Sequence, residues 1–138
     1  MNQLRLKSLD KFIDPQLTAD GQERASVKLQ SLKTLWFNTG SVCNLSCENC
    51  YIESSPQNDR LAYLTKEDVA SYLKEIQMLK LPTKLIGFTG GEPFLNPDFL
   101  SILQLTLENG FDTLVLTNGF RRIERYKKEL LTLNRCFG

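Results

Sequence analysis

Histidine is absent from the 138 residues, and with it a common metal ligand and the usual general base near neutral pH. Excess charge is missing as well: 17 basic residues face 16 acidic ones, so no overall field steers the chain toward nucleic acid or an anionic membrane. No apolar run approaches the roughly 20 residues of a membrane span, and the opening MNQLRLKSLDKFIDP lacks the apolar core of a signal peptide. The expectation is a cytoplasmic protein with neither a membrane nor a nucleic acid as partner. Cysteine is scarce, at four residues, yet three of them crowd into CNLSCENCY, residues 43–51. In a reducing compartment such clustering points to metal ligands and away from disulfides.

At this length one domain with a real core is expected. Residues 1–33 are polar and weakly patterned and read as an N-terminal leader or edge segment, in which Ala25, Val27 and Leu29 alternate as an edge strand would. Residues 34–138 read as the core domain. LWFNTG (35–40) is a short apolar strand that feeds the cysteine loop. Thr65 and Asp68 have the spacing of a capping box, with Val69, Tyr72, Leu73, Ile76 and Leu79 on one helical face, and Leu81-Pro82 stops that helix. A second strand over 84–88 exits into TGGEP. Asn96 and Pro97 are expected at the cap and first position of the next helix, Phe99, Leu100, Leu103 and Leu107 on its inner face, and Gly110 at its end. A third strand over 111–116, with Leu-Val-Leu read as buried on both faces, leads through Thr-Asn-Gly to a basic helix carrying Ile123, Tyr126, Leu130 and Leu133. This βα alternation predicts an α/β fold with a parallel sheet, whose ligands sit at the carboxyl ends of the strands.

All three loops that carry chemistry fall at that end. Cys43, Cys47 and Cys50 can curl around one corner of an iron-sulfur cubane and leave its fourth iron open. Structural zinc is the alternative, and it needs a fourth ligand from Cys136, Glu48 or Glu53. Inert cysteines are a third reading, and Cys136, far along the chain, reads as an incidental thiol. Paired Gly90 and Gly91 let backbone approach a ligand, Pro93 stiffens the turn, and Glu92 offers a carboxylate to an ammonium group. Thr117 and Asn118 are read either as a plain turn or as polar contacts to a ribose. Arg121, Arg122, Arg125, Lys127 and Lys128 read as a solvated helix face, since no aromatics are interleaved for base stacking.

Taken together, CNLSCENC, FTGGEP and LTNG in this order resemble the radical S-adenosylmethionine superfamily, over roughly residues 35–133. The longer stretch LWFNTGSVCNLSCENCYIESSP is similar to the branch of molybdenum-cofactor cyclases and peptide- or cofactor-maturing enzymes. The resemblance implies a [4Fe-4S] cluster on Cys43, Cys47 and Cys50, with S-adenosylmethionine chelating the open iron. It further implies that Gly90, Gly91 and Glu92 bind the methionyl amino group, that Thr117 and Asn118 lie near the ribose, and that backbone around Tyr51 meets the adenine. Many members carry an aromatic before the third cysteine, where this chain has Asn49.

The implied reaction is reductive cleavage to a 5′-deoxyadenosyl radical that abstracts hydrogen from a small-molecule or peptide substrate, with flavodoxin or ferredoxin as electron donor. The implied fold is a partial TIM barrel with about three of the family's six βα units. A complementary chain completing the barrel, a non-catalytic zinc-binding module and an inactive truncated remnant are the other expectations that this half-barrel raises.

Overall fold

The structure is a computed structural model that describes residues 14–137, with side chains described through residue 133. Cys136 therefore lies outside the described side chains. The chain divides into two compact units, Met1–Gln30 and Ser31–Gly138. In the first, the Asp14 carboxylate accepts from the Gln16 and Leu17 amides at 2.7 and 3.0 Å, and Leu17 bridges antiparallel to Glu23 across a turn at Gly21. The edge strand expected over residues 25–29 is not formed: Val27 and Leu29 stand 94% and 76% exposed. Alternation makes a strand only where a neighbour supplies the ladder, and none of the described residues does so here.

The second unit holds three parallel strands in the order β1 (Thr34–Asn38), β2 (Leu85–Thr89) and β3 (Asp112–Val115). Helix α1 (Lys66–Met78) follows β1 and α2 (Phe99–Glu108) follows β2; the last segment forms α3 (Arg122–Arg125) and α4 (Lys127–Phe137). The alternation expected from the sequence is present. Three strands do not by themselves close a barrel.

Helix α1 starts as its pattern predicts. Thr65 accepts from the Asp68 amide at 3.1 Å while the Asp68 carboxylate accepts from the Thr65 amide at 3.1 Å, satisfying two of the orphan donors at the helix start. Val69, Leu73 and Ile76 are buried; Tyr72 and Leu79 are instead largely exposed, although the Tyr72 ring still meets Phe37 edge-on at 5.6 Å. Leu79 already belongs to the cap, where Leu81 N donates to Ile76 O and Lys80 turns left-handed at φ +50°.

Helix α2 begins later than expected. Asn96 does not cap it: its Oδ1 accepts from the Asp98 amide at 2.9 Å, while its amide group donates to Thr39 O at 3.1 Å and Leu64 O at 2.8 Å. Pro97 and Asp98, expected in the first turn, form a separate turn instead, so that Asp98 stands at the cap and Phe99 opens the helix. The buried stripe is Phe99, Ile102, Leu103 and Thr106, with Leu100 and Leu107 half-buried. Gly110 at φ +80° ends the helix, and Phe111 N reaches back to Thr106 O.

The core lies between α1, α2 and one face of the sheet, where Phe37, Ile86 and Phe88 meet Val69, Leu73, Phe99 and Ile102. Phe88 is fully buried, stacked at 5.9 Å on Phe37 and edge-on at 5.5 Å to Phe99, so Phe88→Ala removes about 3–5 kcal/mol. On the other face Trp36, Gly87 and Leu114 stand in register across the three strands. A Cβ at Gly87 would strike the Trp36 indole, so glycine there lets the ring lie across β2.

Two expectations for the last third need correction. β3 is not buried on both faces: Leu114 and Leu116 are 42% and 52% exposed, because β3 is the sheet edge among the described residues and the core covers one face only. The single basic helix is broken at Tyr126, although Ile123, Tyr126, Leu130 and Leu133 do pack on the core.

Candidate functional site

Parallel strands deliver their carboxyl ends to one edge, and there the ladder between β1 and β2 continues beyond the strands themselves. Thr39 N donates to Thr89 O at 2.8 Å, Gly91 N to Gly40 O at 2.9 Å and Glu92 N to Val42 O at 3.1 Å. The stretch 39–42, which leads into the cysteines, and the stretch 89–92 thus form one shelf. Both glycines are required by this approach. At Gly90, φ +139°, a Cβ would stand 2.7 Å from Gly40 O and 2.9 Å from Thr39 Oγ1; at Gly91 it would run into the Val42 carbonyl.

Glu92 closes the shelf against the exit of β3. Its side chain is 2% exposed, and both oxygens are occupied by the chain's own donors. Oε1 accepts from Phe94 N at 3.1 Å and Thr117 Oγ1 at 2.8 Å; Oε2 accepts from Thr117 Oγ1 at 2.9 Å and Asn118 N at 2.9 Å. Pro93, buried, opens the 3-10 turn behind it. The carboxylate read from sequence as a partner for a ligand ammonium is here the tie between the β2 and β3 exits.

The cysteine loop is less uniformly held. Cys43 is buried, its amide donating to Ser55 O at 3.1 Å beside the Val42–Ser55 bridge. Cys47 is exposed and Cys50 half-buried. The Ser54 amide donates to Cys50 Sγ at 3.3 Å, and this with further backbone donors lowers the thiol's pKa, favouring the thiolate that ligates metals. Ser54 Oγ, close by, is buried with no hydrogen-bond partner among the described residues. Tyr51 is 80% exposed. The three sulfurs share one loop, but no three metal-ligating side chains converge into a metal-sized group among the described residues. Of the carboxylates considered for zinc, Glu53 faces Arg60 at 3.5 Å. An open cavity of about 490 Å³ adjoins Cys43, lined also by Asn44, Tyr63, Leu95 and Arg122.

Several positioning residues escape a reading of sequence. Asn44 donates to Phe120 O at 3.2 Å and accepts from Asn118 Nδ2 at 3.1 Å, while Ser41 Oγ donates to Asn58 O at 3.0 Å and accepts from Leu61 N at 3.0 Å. Polar loop residues of this kind carry no periodicity. Their only signal is adjacency to the cysteines.

Three thiols on one loop beside a double-glycine shelf are a donor set suited to a cluster, although they do not converge among the described residues; comparisons with known proteins give the family. A sequence model of the Radical SAM superfamily matches residues 37–134. A Bacillus subtilis (strain 168) protein, YydG, named provisionally for peptide biosynthesis, is 30% identical over 108 residues, which are 74% of this chain and 33% of that protein. The GTP 3′,8-cyclase of Pasteurella multocida is 30% identical over 83 residues, 58% of this chain and 24% of the enzyme. The S-adenosylmethionine-dependent nucleotide dehydratase of Selenomonas ruminantium is 31% identical over 77 residues, 56% and 26% respectively. The chain thus spans a quarter to a third of these relatives. No described helix is long and apolar enough to cross a membrane. With the family match covering most of its length, this chain belongs to the Radical SAM superfamily.

Proposed function

We propose that this chain is the cluster-binding part of an enzyme that cleaves S-adenosylmethionine reductively and abstracts hydrogen from a substrate, in the biosynthesis of a cofactor or the modification of a peptide. One observation carries the reading: a three-cysteine loop joined by backbone hydrogen bonds to a double-glycine shelf, at adjoining ends of a parallel sheet. Cys43, Cys47 and Cys50 would hold a [4Fe-4S] cluster, three thiolates serving three irons. Gly90, Gly91, Glu92 and Pro93, with Tyr51, Thr117 and Asn118, would border S-adenosylmethionine. When bound, these groups supply one-electron scission of a carbon–sulfur bond and a 5′-deoxyadenosyl radical.

The chain's residues bind and orient. The Ser54 amide favours Cys50 as thiolate. Glu92 fixes the β3 exit relative to the shelf, so that two loops distant in sequence meet at one place. The named relatives support either a nucleotide-like small molecule or a peptide as substrate. Flavodoxin or ferredoxin as reductant, a complementary chain or further sequence supplying the remaining barrel strands, and a cytoplasmic location complete the proposal.

Anaerobic reconstitution tests it. The expected result is about four irons and four sulfides per chain and a dithionite-reducible paramagnetic signal that S-adenosylmethionine perturbs. Stoichiometric zinc without sulfide overturns it.

A further inference from the structure

The resemblance to the superfamily sets Asn118 near a ribose, but its side chain in this structure is committed elsewhere. Oδ1 accepts from the Phe120 amide at 2.8 Å, a donor that only the carbonyl end of the side chain can serve. The NH2 end is thereby turned the other way, donating to Asn44 Oδ1 at 3.1 Å and to Cys43 Sγ at 3.6 Å. Asn44 in turn donates to Phe120 O at 3.2 Å, so the two asparagines close a ring of hydrogen bonds around the buried Cys43 sulfur.

Asn118 and Phe120 stand at the surface, so the ring is held by its hydrogen bonds and not by burial. The backbone of Asn118 is tied to Glu92 Oε2 at 2.9 Å, and Glu92 belongs to the shelf that is laddered to Val42, the residue before Cys43. Sulfur and donor are therefore both referred to one body, although they stand 75 positions apart in sequence. The backbone tie sets where the Asn118 side chain starts, and the Phe120 amide sets which way its carbonyl end points.

We propose that Asn118 is a positioning residue for Cys43: its side-chain amide holds the sulfur in place by an N–H···S hydrogen bond and, once that sulfur ligates iron, stabilises the more electron-rich state of the cluster. The second clause rests on the cluster reading; the first does not. Hydrogen bonds to ligating sulfurs raise the reduction potential of iron-sulfur centres, and outer-shell donors orient the ligands they touch. Because Glu92 is bonded to the backbone of Asn118, substitutions of the Asn118 side chain leave that tie in place.

The test has two arms. In the iron-free chain, the NMR resonances of the Asn118 side-chain amide protons should shift on Cys43→Ala and stay put on Cys47→Ala. Resonances that ignore Cys43→Ala overturn the proposal whatever metal the protein takes up. In the reconstituted chain without S-adenosylmethionine, Asn118→Asp should move the cluster's midpoint potential to more negative values, and Asn118→Ala should move it the same way by less. An unmoved potential, with weaker S-adenosylmethionine binding as the only defect, assigns Asn118 to the ribose and overturns the proposal. Should the chain take up no iron and sulfide, the cluster reading fails and the NMR arm alone decides the contact to Cys43.

Discussion

The shelf of Gly90–Glu92 leaves β2 and the cysteine loop leaves β1, and the two adjoining exits are built on different terms. On the shelf, Gly90, Gly91 and Glu92 are fixed by backbone and carboxylate hydrogen bonds, and Glu92 is 2% exposed. On the loop, Cys43 is buried and held from two sides, but Cys47 and Tyr51 face solvent. The difference divides the site into a part whose shape the fold dictates and a part governed by a few local contacts. Damage to the first should appear as lost stability, and damage to the second as lost metal binding.

The largest effect that tests this division is expected from Gly91→Ala. The new Cβ meets the Val42 carbonyl, which is backbone and cannot swing aside, so a loss of about 3 kcal/mol is expected in urea denaturation. Glu92→Gln comes next: an amide nitrogen then faces the Asn118 or Phe94 amide, and about 2 kcal/mol is lost. If either variant unfolds like the parent, the shelf is not the rigid part.

Thr65→Ala lies outside both regions and sets the scale, at about 1 kcal/mol for a lost helix cap. Its effect should depend on pH in a fixed sense. The Thr65 hydroxyl, and then its amide, hold the Asp68 carboxyl below its ordinary 3.8, so this contribution is present above that value and is lost as pH falls through the folded-state value. The gap between Thr65→Ala and the parent should therefore narrow in acid. The smallest stability change is expected from Cys47→Ser, within about 0.5 kcal/mol because the thiol is exposed, together with a collapse in bound iron. A Cys47→Ser chain that keeps its full complement of iron would remove the loop from the site.

What was legible in the sequence is what repeats or what a single residue type dictates. The βα alternation, the Thr65 capping box and the glycine end of α2 follow from local pattern, and the structure has them. Asn96 misled because an asparagine before proline fits a cap and a loop tie equally well; only the nearby Thr39 and Leu64 carbonyls decide between them. Leu114 and Leu116 misled because an apolar run does not say whether its strand has neighbours on both sides. At the site, the cysteines and glycines announce themselves by spacing. The saturation of Glu92 and the turn of Asn118 toward Cys43 depend on contacts between residues far apart in sequence, which no local pattern encodes.

The glycine beneath Trp36 has an optical consequence. Trp36 is the chain's single tryptophan, 44% exposed on the sheet face opposite the core, so its emission comes from one place alone. Whatever covers that face, whether further strands, a second chain or a substrate, should take water from the indole and shift its fluorescence to the blue. The protein thus carries its own reporter on the open face of its sheet.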